Sequence, residues 1–122
     1  MTRPAAVILL AAAVTFAGQS TEARMTPQVF EARAWLQRQV HTGNWRWSHR
    51  LWANESGWRV RAGHPSGSYG VPQASPGRKM RAAGRDWRTS AMTQVRWGLR
   101  RIRLVYGTPC HALRFQTTRG WW

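Results

Sequence analysis

Half of the twenty residues from Gly57 to Pro76 are glycine, proline or serine: Gly57, Gly63, Pro65, Ser66, Gly67, Ser68, Gly70, Pro72, Ser75 and Pro76. That density of breakers excludes a continuous helix and calls for an ordered loop or short hairpins. Helix-forming patterns stand on both sides of it, so the chain reads as helices arranged about an irregular middle. Upstream, Thr26-Pro27 offers a cap followed by proline at the first helical position, and Val29, Phe30, Leu36 and Val40 recur at helical spacing, predicting a helix over 27–40. Ser48 is the expected cap of a second helix ending near Ser56, which sets Glu55 on one face with Leu51 and Trp52. Downstream, a short turn of helix is expected over 78–83. Ser90 then caps the strongest pattern, in which Met92, Val95, Leu99, Ile102 and Tyr106 form an apolar stripe. Gly107 and Pro109 end it. The segment from Cys110 to Trp122 has no clear period, yet its Gly120-Trp121-Trp122 close is too aromatic for a solvated tail and is expected to pack back.

The first residues read as an export leader, the alternative being an N-terminal helix that packs on the domain or stays as an uncleaved anchor. Arg3 precedes an apolar run from Ala5 to Ala17, then small and polar residues follow, which is the layout of a secretory signal peptide. A run of thirteen residues falls short of the ~20 that span a bilayer. Cleavage near residue 23 would leave 99 residues, and no other stretch approaches spanning length. The expected product is exported, either extracellular or associated with the cell wall.

Charge narrows the chemistry. Against 19 Lys plus Arg there are four carboxylates, Glu22, Glu31, Glu55 and Asp86, giving +15 at pH 7. Losing residues 1–23 removes one arginine and one glutamate, so the excess stands. Any mechanism needing two side-chain carboxylates must draw on that short list. A single cysteine, Cys110, forbids an internal disulfide and starves a thiolate zinc site of ligands. His41, His49, His64 and His111 have no metal-ligand spacing, so neither metal nor cofactor is expected. Nine tryptophans supply the apolar mass that lets so short and basic a chain build a core. Trp45, Trp47 and Trp87 are open between core packing and sugar stacking.

Glu55 is the most informative position. It lies near the end of an apolar helix, flanked in sequence by Trp52 and Trp58. A poorly solvated carboxyl has a raised pKa, which makes a glutamate a general acid at neutral pH. Pairing with a surface arginine is the competing reading.

Five blocks occur in order: Leu51-Trp52-Ala53-Asn54-Glu55-Ser56-Gly57-Trp58, Ser68-Tyr69-Gly70-Val71-Pro72-Gln73 continuing to Met80, Asp86-Trp87, Gln94 to Leu99, and Tyr106-Gly107-Thr108-Pro109-Cys110. Together they resemble the lytic transglycosylase-like domain of the lysozyme superfamily, in small secreted bacterial forms related to goose-type lysozyme. The resemblance spans residues 44–122, with 24–43 as an N-terminal helical segment. It implies a mainly α, lysozyme-like single domain whose irregular or short-hairpin loop region lines a cleft for peptidoglycan glycan strands. By position, Glu55 would match the catalytic acid and Ser56 the serine beside it. Tyr69, Gly70 and Gln73 would match the loop that lines the sugar cleft, and Trp121 and Trp122 the aromatic close of its wall. Many relatives pair a cysteine at the Pro-Cys step with one near the position of Trp47, so Cys110 is expected to be unpaired here.

The implied reaction suits the carboxylate count. Glycosidases using a protein nucleophile or base need two carboxylates, and the one candidate partner within the matching region is Asp86, which sits in the Asp-Trp turn where bracing is the expected role. A lytic transglycosylase needs one acid. Glu55 would protonate the oxygen between N-acetylmuramic acid and N-acetylglucosamine, then take the proton of the sugar's own 6-hydroxyl, leaving a 1,6-anhydro end. Lysozyme-type hydrolysis is the variant in which water enters. A noncatalytic cationic wall-binding homologue is the alternative of another class. The basic surface suits anionic wall polymers. Nucleic acid is not expected, since the chain carries an export signal and no recognised nucleic-acid motif. A monomer is the expected state.

Overall fold

A proline at the first helical position and an apolar residue every three or four places start the chain as a helix. The computed structural model describes residues 25–41 and 43–122; the leader expected over 1–23 lies outside them. Helix α1 (Pro27–Gln39) buries Val29, Ala32 and Leu36. Phe30, expected on that face, is half exposed, because the inward row takes positions 29, 32 and 36 and leaves 30 beside it.

Helix α2 (Asn44–Ser56) begins four residues before the expected cap. The Asn44 amide bonds the His41 carbonyl at 2.7 Å, so a turn launches the helix. Ser48 is fully buried inside it and donates back to the Asn44 carbonyl at 3.3 Å, the alternative a serine has when it does not cap. The helix buries Ser48, Leu51, Trp52 and Ser56. Gly57 closes it in the left-handed region at φ 60°, and Trp58 follows at φ 60° as well. A left-handed tryptophan costs on the order of 1–3 kcal/mol. Its surroundings hold it there: the ring is buried, lies 5.6 Å from the His49 ring, and its Nε1 donates to the His49 carbonyl at 3.1 Å.

The Gly57–Pro76 segment is an ordered loop, with single antiparallel bridges from Tyr69 to Gly63 and to Ala74 in place of strands. A 3-10 helix (Gly77–Ala82) follows, one residue ahead of the expected turn. Tyr69, Ala74, Met80 and Trp87 form a small second core beneath this region.

Helix α3 (Ala91–Arg101) is capped as expected, the Ser90 hydroxyl accepting from the Thr93 amide at 3.2 Å. It widens into a π-helical turn (Ile102–Tyr106). Of the apolar stripe, Val95, Leu99 and Ile102 are buried, while Met92 and Tyr106 are half-buried. Gly98 lets the indole of Trp52, reaching across from α2, lie against the α3 backbone, since a Cβ there would stand 2.6 Å from Cζ2 of that fully buried ring. The C-terminal segment is helical too: α4 (Pro109–Arg119) starts at Thr108, whose hydroxyl accepts from the His111 amide, and stops at Gly120 with φ 78°. Pro109 therefore opens a helix as well as following one. The segment's weak period reflects how little it buries, Pro109, Ala112 and Leu113 alone being inside.

Helix α1 packs on α3, and α4 on α2. All four helices feed one core that includes Leu36, Leu51, Trp52, Val95, Leu99, Ile102 and Leu113, each fully buried aliphatic side chain there stabilising by about 1.5–3 kcal/mol. The class is mainly α, with no strand among the described residues, and no helix among them is long and apolar enough to cross a membrane.

Candidate active site

The packing of α4 on α2 brings Gln116 to the last turn of α2, where Glu55 stands. Burial pushes the Glu55 carboxyl above the ordinary glutamate value, and a hydrogen bond from Gln116 partly opposes the rise. The Gln116 carbonyl oxygen in turn accepts from Asn54 Nδ2 at 3.3 Å, which leaves its amide nitrogen for the carboxylate. Oε1 of Glu55 is buried without a hydrogen-bond partner. An oxygen so placed favours the protonated carboxyl, because the charged form would carry an unmet acceptor. The flanking indoles turn elsewhere: Trp52 packs into the core against Gly98, and Trp58 lies against His49.

Tyr106, read in the sequence as part of the apolar stripe, reaches the same place from the end of the π turn. Burial raises its phenol pKa; the charge of Arg101 and a hydrogen bond from it lower it, and the charge of Glu55 raises it again. Tyr106 also lies 6.0 Å from the Trp122 ring, centre to centre, and 5.4 Å from that of Phe115. Arg101 lies over Trp97 and Trp122 at 5.8 and 5.9 Å. Trp122 Nε1 donates to the Pro72 carbonyl at 3.0 Å, tying the C-terminal residue to the loop. A cavity of about 50 Å³ beside it is lined by Gln73, Lys79, Arg101 and Trp122 among others.

Of the expected site residues, Trp122 and Gln73 thus share one wall, joined to Glu55 through Tyr106. Gln73 is held at φ 53° with Nε2 donating to the carbonyls of Ala62 and Gly70 at 3.1 and 3.0 Å. Ser56 is buried, its hydroxyl 2.7 Å from the Val71 carbonyl and 3.1 Å from that of Trp52, so it anchors the loop to the helix end. Tyr69 belongs to the second core, where its hydroxyl donates to the Arg88 carbonyl at 2.7 Å and its ring meets Trp87 edge-on at 5.8 Å. Gly70 adopts φ 77°, and a Cβ there would stand 2.6 Å from the Gln94 amide. Trp121 is exposed and packs edge-on against Phe115 at 4.9 Å.

Sequence reasoning passed over Gln116, Tyr106 and Arg101 as contributors, and Gln94 as the loop's anchor. Gln94 is fully buried, accepting from the Val71 amide at 2.8 Å and donating to the Val60 and Trp87 carbonyls at 2.9 and 2.8 Å. A glutamine on the inward face of a strongly patterned helix was the available signal.

The other acids stand apart in role. Asp86 accepts from the Thr93 hydroxyl at 2.6 Å and its carbonyl takes the Ser90 amide at 2.9 Å, bracing the entry to α3. Glu31 is exposed on α1. Cys110 is a free, half-buried thiol in the first turn of α4. Among the described residues no three of His, Cys, Asp and Glu gather as a metal site. No family model matches this chain, and no curated protein or solved structure matches it significantly.

Proposed function

We propose that this protein is an exported peptidoglycan lytic transglycosylase of lysozyme-like fold, with Glu55 serving first as acid and then as base. The observation that carries the reading is the Glu55 carboxyl: desolvated, raised in pKa, with one oxygen unpartnered and no other acid among the described residues contributing to its shift. A protonated Glu55 gives its proton to the glycosidic oxygen between N-acetylmuramic acid and N-acetylglucosamine. The sugar's 2-acetamido group stabilises C1, and the carboxylate formed then removes the proton of the 6-hydroxyl as that oxygen closes on C1. The proton returns to Glu55, and the product ends in a 1,6-anhydro ring. Gln116 steadies the carboxylate in its charged interval, and one acid suffices throughout. The collinear sequence blocks from Leu51 to Cys110 support the same assignment of substrate.

The test is to incubate the purified protein and its Glu55→Gln variant with intact peptidoglycan and identify the released fragments by mass spectrometry. Anhydro-muropeptides from the parent alone are expected. Reducing-end products would mean hydrolysis at the same carboxyl. Folded protein that sediments with the wall but releases nothing would make the chain a binding homologue.

A further inference from the structure

Arginine covers tryptophan across this surface. Arg33 lies over Trp58, Arg88 over Trp87, Arg96 over Trp35, and Arg101 over both Trp97 and Trp122, at 5.0–5.9 Å. Of the four tryptophans without such an arginine, Trp52 lies in the core and Trp121 packs on Phe115; the other two stand on the outer side of α2. Trp47 is 42% exposed and Trp45 half-buried, and neither carries an arginine among the described residues. Arg46 and Arg50 are exposed beside them. These four residues with His49 and Asn54 line an open groove of about 850 Å³. No carboxylate is among its lining residues. Trp47 offers an exposed flat apolar face and Trp45, whose ring meets that of His49 at 5.6 Å, a partly exposed one; the arginines, four residues apart on one helix face, offer fixed positive charge.

We infer that this groove binds an acidic glycan, with sugar faces on Trp45 and Trp47 and carboxylates at Arg46 and Arg50. The C–H face of a pyranose ring packs on an indole as an apolar plate, and guanidinium pairs with carboxylate in a two-pronged geometry. Placement favours a glycan over a nucleic acid. Asn54, at the edge of the groove, bonds Gln116, and Gln116 bonds Glu55, so a strand lying there runs toward the carboxyl assigned to glycosidic cleavage. The groove is then a second hold on the same polymer, outside the cleavage position. In naming that polymer the inference rests on the proposed function; the binding itself needs no cleavage.

The test uses Glu55→Gln as the background, so that substrate survives. The probes are uncross-linked peptidoglycan strands bearing their stem peptides, the same strands with carboxyls amidated, and a single-stranded oligodeoxythymidine, with binding followed by calorimetry. Trp47→Ala, and separately Arg46→Gln with Arg50→Gln, is expected to weaken strand binding by about tenfold or more, while far-UV circular dichroism keeps the helical signal. Amidated strands are expected to bind the background protein less well and to be indifferent to the arginine pair. Unchanged affinity in folded groove variants would overturn the inference. So would oligonucleotide binding that is tighter than strand binding and lost in the same variants. Cleavage by the Glu55 parent is scored separately: loss of strand binding in the groove variants without any cleavage by the parent sinks the catalytic reading and keeps the groove, and cleavage with unaltered groove binding does the reverse.

Discussion

The Ser56 hydroxyl lies 2.7 Å from the carbonyl of Val71, joining the end of α2 to the glycine- and proline-rich loop one residue beyond Glu55. Both partners are buried. Ser56→Ala leaves the Val71 carbonyl short of a partner away from water, and the expected loss is about 1–3 kcal/mol in urea unfolding at unchanged m-value. If the chain cleaves peptidoglycan as proposed, cleavage should fall further than stability alone explains, since loop and acid lose their common reference.

The raised pKa of Glu55 ties stability to pH in a definite direction. The folded state holds this proton more tightly than the unfolded chain, whose glutamate has the ordinary value of 4.5. Stability from this group is complete below 4.5 and is lost as pH rises through the folded pKa. Glu55→Gln should therefore match the parent at low pH and melt at a higher temperature near neutrality. Thermal unfolding of both proteins across a pH series checks the sign, and equal melting temperatures at pH 7 would contradict it. If Glu55 is the acid, turnover of the parent declines over the same rise in pH.

Replacing Gln94 by leucine keeps the volume and removes three hydrogen bonds. The Val71 amide and the Val60 and Trp87 carbonyls would then lose their Gln94 partner. The expected cost is about 3 kcal/mol or more, seen as a large drop in the urea midpoint, with faster hydrogen exchange across residues 57–76.

Gly98→Ala drives a methyl group into Trp52, which has no exposed surface and so little room to yield. Overpacking of this kind costs about 1–3 kcal/mol. Near-UV circular dichroism should register the displaced indole even where the far-UV signal is kept.

Much of the fold was legible because its signals are local. Pro27 at the first helical position, the Ser90 cap and the Val95-Leu99-Ile102 row announce their helices, although Thr26 makes no side-chain cap bond, and the breakers between Gly57 and Pro76 announce the loop. The misses had contrary local signals. Ser48 looks like a cap, but its hydroxyl turns inward to the Asn44 carbonyl and the helix starts earlier. Pro109 was read as a stop for α3, although Thr108-Pro109 is equally a helix start, and α4 buries too little to show a period. At the site, Glu55 stood out as a lone carboxylate among apolar residues. Gln116 and Tyr106 did not, because their proximity to it is made by distant chain segments: α4 folds back on α2 over some sixty residues, as in the Asn54–Gln116 bond, and Tyr106 arrives from the π turn that ends α3. Ser56 and Tyr69 were legible as special but not as buried, since a hydroxyl that meets a backbone carbonyl has the same letter as one that meets a sugar.

The Gln94 anchor also sets a sequence of events. Its bonds to Val71 and Val60 close chain separations of 23 and 34 residues, and loops of that size gain nothing until both ends are held. The loop between Gly57 and Pro76 has no helix of its own to nucleate it, so its order depends on α3 having already docked. The helices are therefore expected to cross the folding barrier first and the wall that carries Gln73 to settle afterwards. Changes within the loop would then speed unfolding and leave the folding rate nearly untouched, so that wall is expected to be the part of the molecule that opens before the helical core.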